Sequence, residues 1–210
     1  MKRIRFPVLL LILALLVCGC SPRSVYRSDG RIVYPGVEWN MTPWDAIAAL
    51  GLEEGEFTIE STDADMNPTD GTVPSYTFSV ENTQVFGADA KVCFTFLCYA
   101  GENFGLSSIV IIYPEETDMS LVRAQMEASL GSPTGGNTEG SHLLTWDSEE
   151  TLDKYLPDGL SAEMREIYEG QPTVRVFWNS QASLLYYLAD EVGESKMVVF
   201  DCYLTRFLQN

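Results

Sequence analysis

Few side chains in this 210-residue chain have the chemistry and spacing of a catalytic site. The one histidine, His142, enters an apolar stretch, which is typical of a structural histidine. Zinc centres need clustered Cys and His, whereas Cys93, Cys98 and Cys202 are spread over strand-like segments. We expect three buried thiols, with one disulfide bond involving Cys202 as the alternative. Because no nucleophile-elbow, Ser-x-x-Lys or phosphate-loop motif is present either, we predict no enzyme activity, no cofactor and no metal.

Two alternatives depend on the acidic residues. With thirty Asp and Glu residues in the chain, some pair will lie close enough for glycoside hydrolysis, so a carboxylate-dependent envelope hydrolase is one alternative. Asp63, Asp65 and Asn67 repeat the 1-3-5 spacing of a calcium loop, which makes a calcium-stabilised structural lipoprotein the other. Pro68 and Pro74, however, replace the turn glycine and the bidentate glutamate of such a loop. We therefore interpret residues 61–75 as a polar surface loop.

The four tryptophans could form a platform for a sugar or a peptide. Packing in the core or at its rim is the interpretation we favour, because large aromatic side chains stabilise folded domains mainly by burial. These residues are Trp39, Trp44, Trp146 and Trp178.

The N-terminus has the pattern of a secretory signal. Lys2, Arg3 and Arg5 precede an apolar run over residues 6–18, and the small Gly19 precedes Cys20. The run is shorter than the roughly 20 residues that a membrane-spanning helix needs. Residues 17–20, Val-Cys-Gly-Cys, resemble the lipobox of bacterial lipoproteins. The resemblance implies that residues 1–19 are removed and that Cys20 is lipidated, with more than one acyl chain as stable anchoring requires.

Charge restricts the partners of such a protein. The formal net charge is −17, and loss of residues 1–19 would remove three basic and no acidic side chains, leaving a charge near −20. Binding to nucleic acid needs Lys and Arg at the phosphates, so we expect none. The expected location is the extracytoplasmic face of the cell membrane or outer membrane, held through Cys20. We expect the partner to be an envelope protein or glycan.

The rest of the chain is predicted to form helices and strands, arranged in two similar halves. After a lipidated tether over residues 20–35, we predict a first half over 36–116 and a second over 117–210, either as two pseudo-repeats or as one continuous domain. Each half begins with a helix, capped by Thr42 or Asp118 and ended by Leu-Gly at 50–51 or 130–131. We predict further helices after Ser148 and Ser161.

Strands are expected where apolar and β-branched residues alternate or cluster. They cover residues 57–60, 76–80, 91–99, 106–113, 142–146, 173–179, 183–189 and 196–207. Neighbouring strands joined by short turns favour antiparallel pairing, and hence an α+β fold with helices packed on one face of the sheet.

The first helix also carries a family resemblance. Trp39-Asn-Met-Thr-Pro-Trp-Asp-Ala-Ile, followed by Leu50-Gly51, is similar to the G-M-T-x-x-E-V…L-G-x-P helix of BamE-like and β-lactamase-inhibitor-protein-like lipoprotein domains. The second helix repeats the ending as Leu-Gly-Ser-Pro at 130–133, whereas Asn40 replaces the family's glycine. The resemblance implies tandem α+β domains with a binding or assembly role, and it transfers no functional residue.

Overall fold

The central element of the fold is a seven-stranded antiparallel sheet, accompanied by a two-stranded hairpin. The structure is a computed structural model that describes residues 25–63, 74–98, 104–136, 142–180 and 196–208. The predicted α+β class and antiparallel pairing are confirmed. No helix in these ranges is both long and apolar enough to cross a membrane.

The elements follow the predicted order closely. The strands are β1 (Arg27–Ser28), β2 (Arg31–Ile32), β3 (Thr58–Asp63), β4 (Ser75–Val85), β5 (Ala88–Leu97), β6 (Gly105–Tyr113), β7 (Leu143–Asp147), β8 (Val174–Asn179) and β9 (Lys196–Cys202). The helices are α1 (Pro43–Ala49), α2 (Met119–Leu130), α3 (Ala162–Tyr168) and α4 (Thr205–Leu208), with a 3-10 turn at Leu152–Lys154. The predicted strand over 183–189 lies outside the described residues.

Both predicted halves contribute to the same sheet. Its order is β3-β4-β5-β6-β9-β8-β7, so the strands of residues 36–116 run outward from β6 and those of residues 117–210 run outward from β9. The two sets meet where Val110 of β6 pairs with Val199 of β9. Since one cluster of buried side chains includes residues from both sets, the halves share one sheet and one hydrophobic core.

Helices α1 and α2 cover one face of the sheet. A row of paired residues on that face includes Phe78, Phe94, Ile109 and Phe200, all buried in the core cluster. Helix α1 adds Ala46 and Ile47 to this cluster, and α2 adds Met119, Val122, Met126 and Leu130 at helical spacing. This is the expected arrangement, because an amphipathic helix buries its apolar stripe against the apolar face of a sheet.

Residues 25–35 belong to the folded domain, which corrects their assignment to a tether. β1 and β2 form a hairpin across Asp29-Gly30, whose positive φ values of 50° and 78° are those of a two-residue type I′ turn. Ile32 is fully buried and Tyr34 nearly so. An Asp-Gly pair between strand-like residues is a hairpin signal, so the sequence held the information for this element.

The hairpin is clamped to the second half of the chain. Arg27 forms an ion pair with Glu149 at 3.0 Å and also donates to the carbonyl of Asp147. Arg31 forms an ion pair with Glu150 at 2.9 Å. On its other side, the Tyr26 ring lies 4.4 Å from that of Phe86, between β4 and β5. The hairpin therefore crosses the helix-covered face and contacts both halves.

Three predicted helix starts are confirmed and one is wrong. The side chains of Thr42, Asp118 and Ser161 each accept a backbone N–H at the start of their helix. Ser148 does not cap a helix: its hydroxyl donates to the carbonyl of Glu150 and contacts the hydroxyl of Thr173. Between Ser148 and residue 156, where a helix was predicted, the only helical element is the 3-10 turn at Leu152–Lys154. The Ser148 hydroxyl is engaged in joining the end of β7 to the loop before β8 and does not cap a helix.

The last predicted strand was too long. β9 ends at Cys202, and α4 follows. The hydroxyl of Thr205, which is fully buried, donates to the carbonyl of Leu106 at 2.7 Å. This bond holds the chain after β9 against the start of β6. The strand therefore ends at Cys202, although the sequence pattern predicted it to continue to residue 207. The predicted loop 61–75 likewise begins later, since β3 continues to Asp63.

Candidate functional site

An apolar groove lies between α1 and β3, and it is here called the α1–β3 groove. It has a volume of about 700 Å³ and is lined by Trp44, Ile47, Leu52, Glu54, Gly55, Phe57, Thr58 and Ile59. Trp44 is 65% exposed and Ile59 is 49% exposed. Solvent-exposed side chains of this size, side by side in a concave surface, are typical of a binding site.

The local sequence explains why Trp44 faces solvent. Pro43, Ala46 and Ile47 form the buried side of α1, and the remaining residues of such a short helix must point away from the core. Thr42 caps the N-terminus of α1, and its hydroxyl also donates to the Asp45 carboxylate at 2.7 Å. The exposed position of Trp44 is therefore set by the register of a well-capped helix.

The chain then turns back to form the other wall. Leu52 N–H donates to the carbonyl of Ile47, and Glu56 N–H donates to that of Glu53, which closes a tight turn. Phe57 leaves this turn and packs edge-on against Phe78 of the core, at a ring-centroid distance of 5.8 Å. The floor of the groove is thus joined to the core.

Tyr76 of β4 lies beside Trp44, with ring centroids 6.2 Å apart. Burial raises the pKa of the Tyr76 phenol above its ordinary value. Its hydroxyl oxygen is buried and has no hydrogen-bond partner in the described structure. The wall near Trp44 therefore combines aromatic surface with a polar atom whose hydrogen-bonding capacity is unused.

The rim of the groove is acidic. Asp45, Glu53, Glu54 and Glu56 are exposed around it. The surrounding sequence strengthens this charge, because residues 32–90 contain eleven Asp and Glu and no Lys, Arg or His. The α1–β3 groove therefore presents apolar surface inside a negative field.

The groove runs along an edge of the sheet that is free within the part of the chain that the structure describes. β3 is the outermost strand on its side, and its inner edge pairs with β4 from Thr58–Ser79 to Asp63–Ser75. Within the described ranges, no backbone group bonds to its outer edge. Ile59 pairs with Phe78, so it lies on the helix-covered face together with Trp44 and Phe57.

Ionic contacts hold β3 in place on the opposite face. Glu60 accepts from Lys91 Nζ at 2.6 Å and from the Ser79 hydroxyl at 2.5 Å. Lys91 also contacts Glu81 at 3.3 Å. The hydrogen bond from Lys91, followed by that from Ser79, lowers the pKa of Glu60 below its ordinary value. A register shift between Ile59 and Ser61 places Glu60 at the bulge of the strand.

A second, smaller cleft lies on the other side of Leu52. It has a volume of about 290 Å³, and Tyr26, Tyr34, Leu50 and Phe94 contribute to its lining. Since Leu52 lines both cavities, the apolar surface continues from the α1–β3 groove towards the β1–β2 hairpin.

The predicted chemical residues are not brought together by the fold. Cys20 lies outside the described residues, and its lipidation stays a prediction. His142 is exposed, and its Nδ1 lies 3.3 Å from the Ser180 hydroxyl. Cys93 and Cys202 are buried on opposite faces of the sheet and are thiols, as is the buried Cys98, so the alternative of a Cys202 disulfide is wrong.

The environment of two thiols opposes nucleophilic chemistry. Burial raises the pKa of Cys93 to about 11, and burial likewise raises that of Cys202 to about 11. Both thiols are therefore protonated at neutral pH, and the thiolate is the nucleophilic form.

The tryptophans do not form one platform. Trp146 is fully buried, Trp178 is 5% exposed and Trp39 is partly buried. Trp146 Nε1 donates to the carbonyl of Gly131, and Trp39 Nε1 donates to that of Ile32. Core or rim packing is confirmed for these three, whereas Trp44 is exposed.

The candidate calcium loop is only partly visible. Asp63 ends β3, and the other residues of the proposed loop up to Gly71 lie outside the described residues. No group of three or more His, Cys, Asp or Glu within the described ranges is placed to hold a metal ion.

Glu60 and Glu81 are a pair of neighbouring carboxylates that can be compared with the pair needed for glycoside hydrolysis. Both contact Lys91, at 2.6 and 3.3 Å, so their contacting oxygens lie at most about 6 Å apart, which allows the roughly 5 Å separation of a retaining glycosidase pair. A general acid, however, needs a raised pKa, whereas the pKa of Glu60 is lowered. Glu60 is therefore the ionised partner of Lys91 and lacks the raised pKa of a general acid.

Comparisons with protein-family models, curated proteins and solved structures find no match to this chain. The resemblance of residues 39–51 to BamE-like and β-lactamase-inhibitor-protein-like domains therefore stays a prediction. Sequence reasoning also missed the α1–β3 groove. Two signals could have found it: Trp44 on the polar side of α1, and the absence of Lys and Arg from residues 32–90.

Proposed function

We propose that this protein is a lipid-anchored, extracytoplasmic binding or assembly module of the cell envelope, held at the membrane through Cys20. The single observation that supports a binding role most strongly is the α1–β3 groove, where Trp44 and Ile59 are exposed beside a free sheet edge. In this proposal the groove, and not a catalytic centre, is the functional surface.

The folded domain is well suited to a short tether. β1 begins at Arg27, so only residues 21–26 separate Cys20 from the first strand of the hairpin. A net charge near −20 after removal of residues 1–19 would keep such a domain soluble and off an anionic bilayer surface.

The anchor can be tested by replacing the proposed acceptor. Cys20→Ser removes the thiol that acyl chains would modify, and we expect the protein to leave the membrane fraction. Cys93→Ser is the matched control, because it removes a thiol from the folded domain. Membrane retention of the Cys20→Ser protein after a high-salt wash would contradict the anchor.

The binding role can be tested separately at the groove. A photo-crosslinking amino acid placed at position 44 should capture the same envelope partner reproducibly in intact cells. The same group at position 121 is the control, because Leu121 is 66% exposed but lies on α2. Equal capture from both positions, or capture from neither, would contradict the assignment of the groove.

A further inference from the structure

The free edge of β3 and the apolar groove lie side by side, and this juxtaposition specifies a mode of binding. The outer N–H and C=O groups of an edge strand are a template for one more strand. Side chains of an added strand would alternate between the two faces of the sheet. Every second side chain would therefore fall on the face of Ile59, against Trp44 and Phe57.

Charge complementarity narrows the composition of such a strand. The rim carries Asp45, Glu53, Glu54 and Glu56, and no Lys or Arg of residues 32–90 neutralises it. Lys91 is already engaged by Glu60 and Glu81. The remaining side chains of the added strand would fall on the opposite face, where Glu60 and Glu81 share the single cation of Lys91. Lys or Arg residues there would meet an excess of negative charge.

A second copy of this chain fits the edge poorly. Pairing two β3 strands would bring together two segments with the same excess of acidic residues, and like charges at close range cost free energy. A basic strand from another protein has the opposite character.

We propose that β3 pairs with an extended, basic segment of a partner protein in which apolar and Lys or Arg residues alternate, so that this segment extends the sheet by one strand. The inference rests on the binding role proposed for the α1–β3 groove and names the partner chemistry there. Backbone hydrogen bonds to β3 supply the pairing, and apolar side chains fill the groove. The basic residues lie on the opposite face, beside Glu60 and Glu81.

The test uses a defined probe and the full chain in zwitterionic lipid nanodiscs. The probe is an eight-residue peptide of alternating Val and Lys with blocked ends, titrated while tryptophan fluorescence is recorded. We expect saturable binding that weakens as salt is raised. A peptide of the same composition with four Val followed by four Lys should bind at least tenfold more weakly, because its apolar residues cannot all reach one face.

Backbone methylation separates strand addition from simple charge attraction. One peptide is N-methylated at its Val residues and another at its Lys residues, so that each loses the N–H groups of one edge. We expect one of the two to lose binding and the other to keep it, because only one edge of the added strand can face β3. Equal binding of both would overturn the proposal.

A matched pair of variants locates the site. Ile59→Lys places a cation on the open edge and should weaken peptide binding at least tenfold. Ile167→Lys is the control, because Ile167 is 57% exposed on α3 and should not affect it. Binding unchanged by Ile59→Lys, absence of peptide binding, or dimerisation of the free chain through β3 would each overturn the proposal. Crosslinking from position 44 would still report on the wider binding role.

Discussion

In the described part of the chain, one edge of the seven-stranded sheet is covered, whereas the other has no backbone partner. At the covered edge, residues 134–135 lie along β7: Thr134 and Gly135 donate to the carbonyl of Thr145, and Thr145 donates back to Gly135. At the open edge, the outer side of β3 has no such partner in the described structure. Exposed edges promote unwanted pairing, and proteins usually cover them. An edge left open beside an apolar groove is therefore the place where a partner strand is expected.

Each edge also has its own tryptophan, and the two are used differently. Trp146 of β7 is fully buried and bonded to Gly131, whereas Trp44 beside β3 is 65% exposed and contacts Tyr76. The covered edge uses its indole for stability. The open edge holds one in solvent, where burial by a partner would release free energy.

The tryptophan pair gives the largest expected effect. Trp146→Ala should lower the free energy of unfolding by about 3–5 kcal/mol, because it leaves a large cavity and removes the partner of the Gly131 carbonyl. Trp44→Ala should change it by less than about 0.5 kcal/mol. Urea denaturation of both variants, with Leu121→Ala as a further exposed control, measures the difference. Equal losses for Trp44 and Trp146 would show that both edges are structural.

The cover over β7 can be loosened at one glycine. Gly136 has φ +92°, and a Cβ there would lie 2.5 Å from the carbonyl oxygen of Leu143. Gly136→Ala should therefore lower the free energy of unfolding by about 1–3 kcal/mol and increase aggregation measured by light scattering. Gly159→Ala is the control, because its methyl would meet open space. A Gly136→Ala protein as stable as that control would mean that the cover is not tightly packed.

The smallest effect concerns the ionic contacts of β3. The pKa of Glu60 is lowered by Lys91 and Ser79, so its contribution to stability is present above the ordinary glutamate value and is lost as pH falls through the lowered value. Glu60 is partly exposed, and we expect this contribution to be below about 1 kcal/mol. The free energies of unfolding of the original protein and Glu60→Gln should converge as pH falls from about 6 to about 3. A difference that stays constant over this range would exclude titration of Glu60 as its source.

Local features of this fold were predictable from sequence because they depend on a few neighbouring residues. The caps at Thr42, Asp118 and Ser161 and the buried stripe of α2 require only side chains within one or two turns. Ser148 has the same chemistry, but a distant partner, Thr173, engages its hydroxyl. The same applies to Thr205, whose bond to Leu106 spans 99 residues.

Sheet order and the groove could not be predicted in this way. The β-branched run in β6 and the alternation in β9 indicate that each is a strand, but nothing in either segment identifies the other as its neighbour. Trp44 on the polar side of α1 indicates an exposed aromatic residue, but the groove also needs α1 and β3 to be adjacent, which neither segment indicates. The Asp29-Gly30 turn is different, since its signal was present within the segment assigned to a tether.

The clamped hairpin has a mechanical consequence. With an anchor at Cys20, any tension between the membrane and a bound partner would enter the domain through Val25 and reach β1 at once. The two arginine–glutamate pairs and the contact between the Tyr26 and Phe86 rings would then share the load. The contacts of the β1–β2 hairpin would resist a force applied at the anchor. They would have to break before the strands that hold the partner begin to separate.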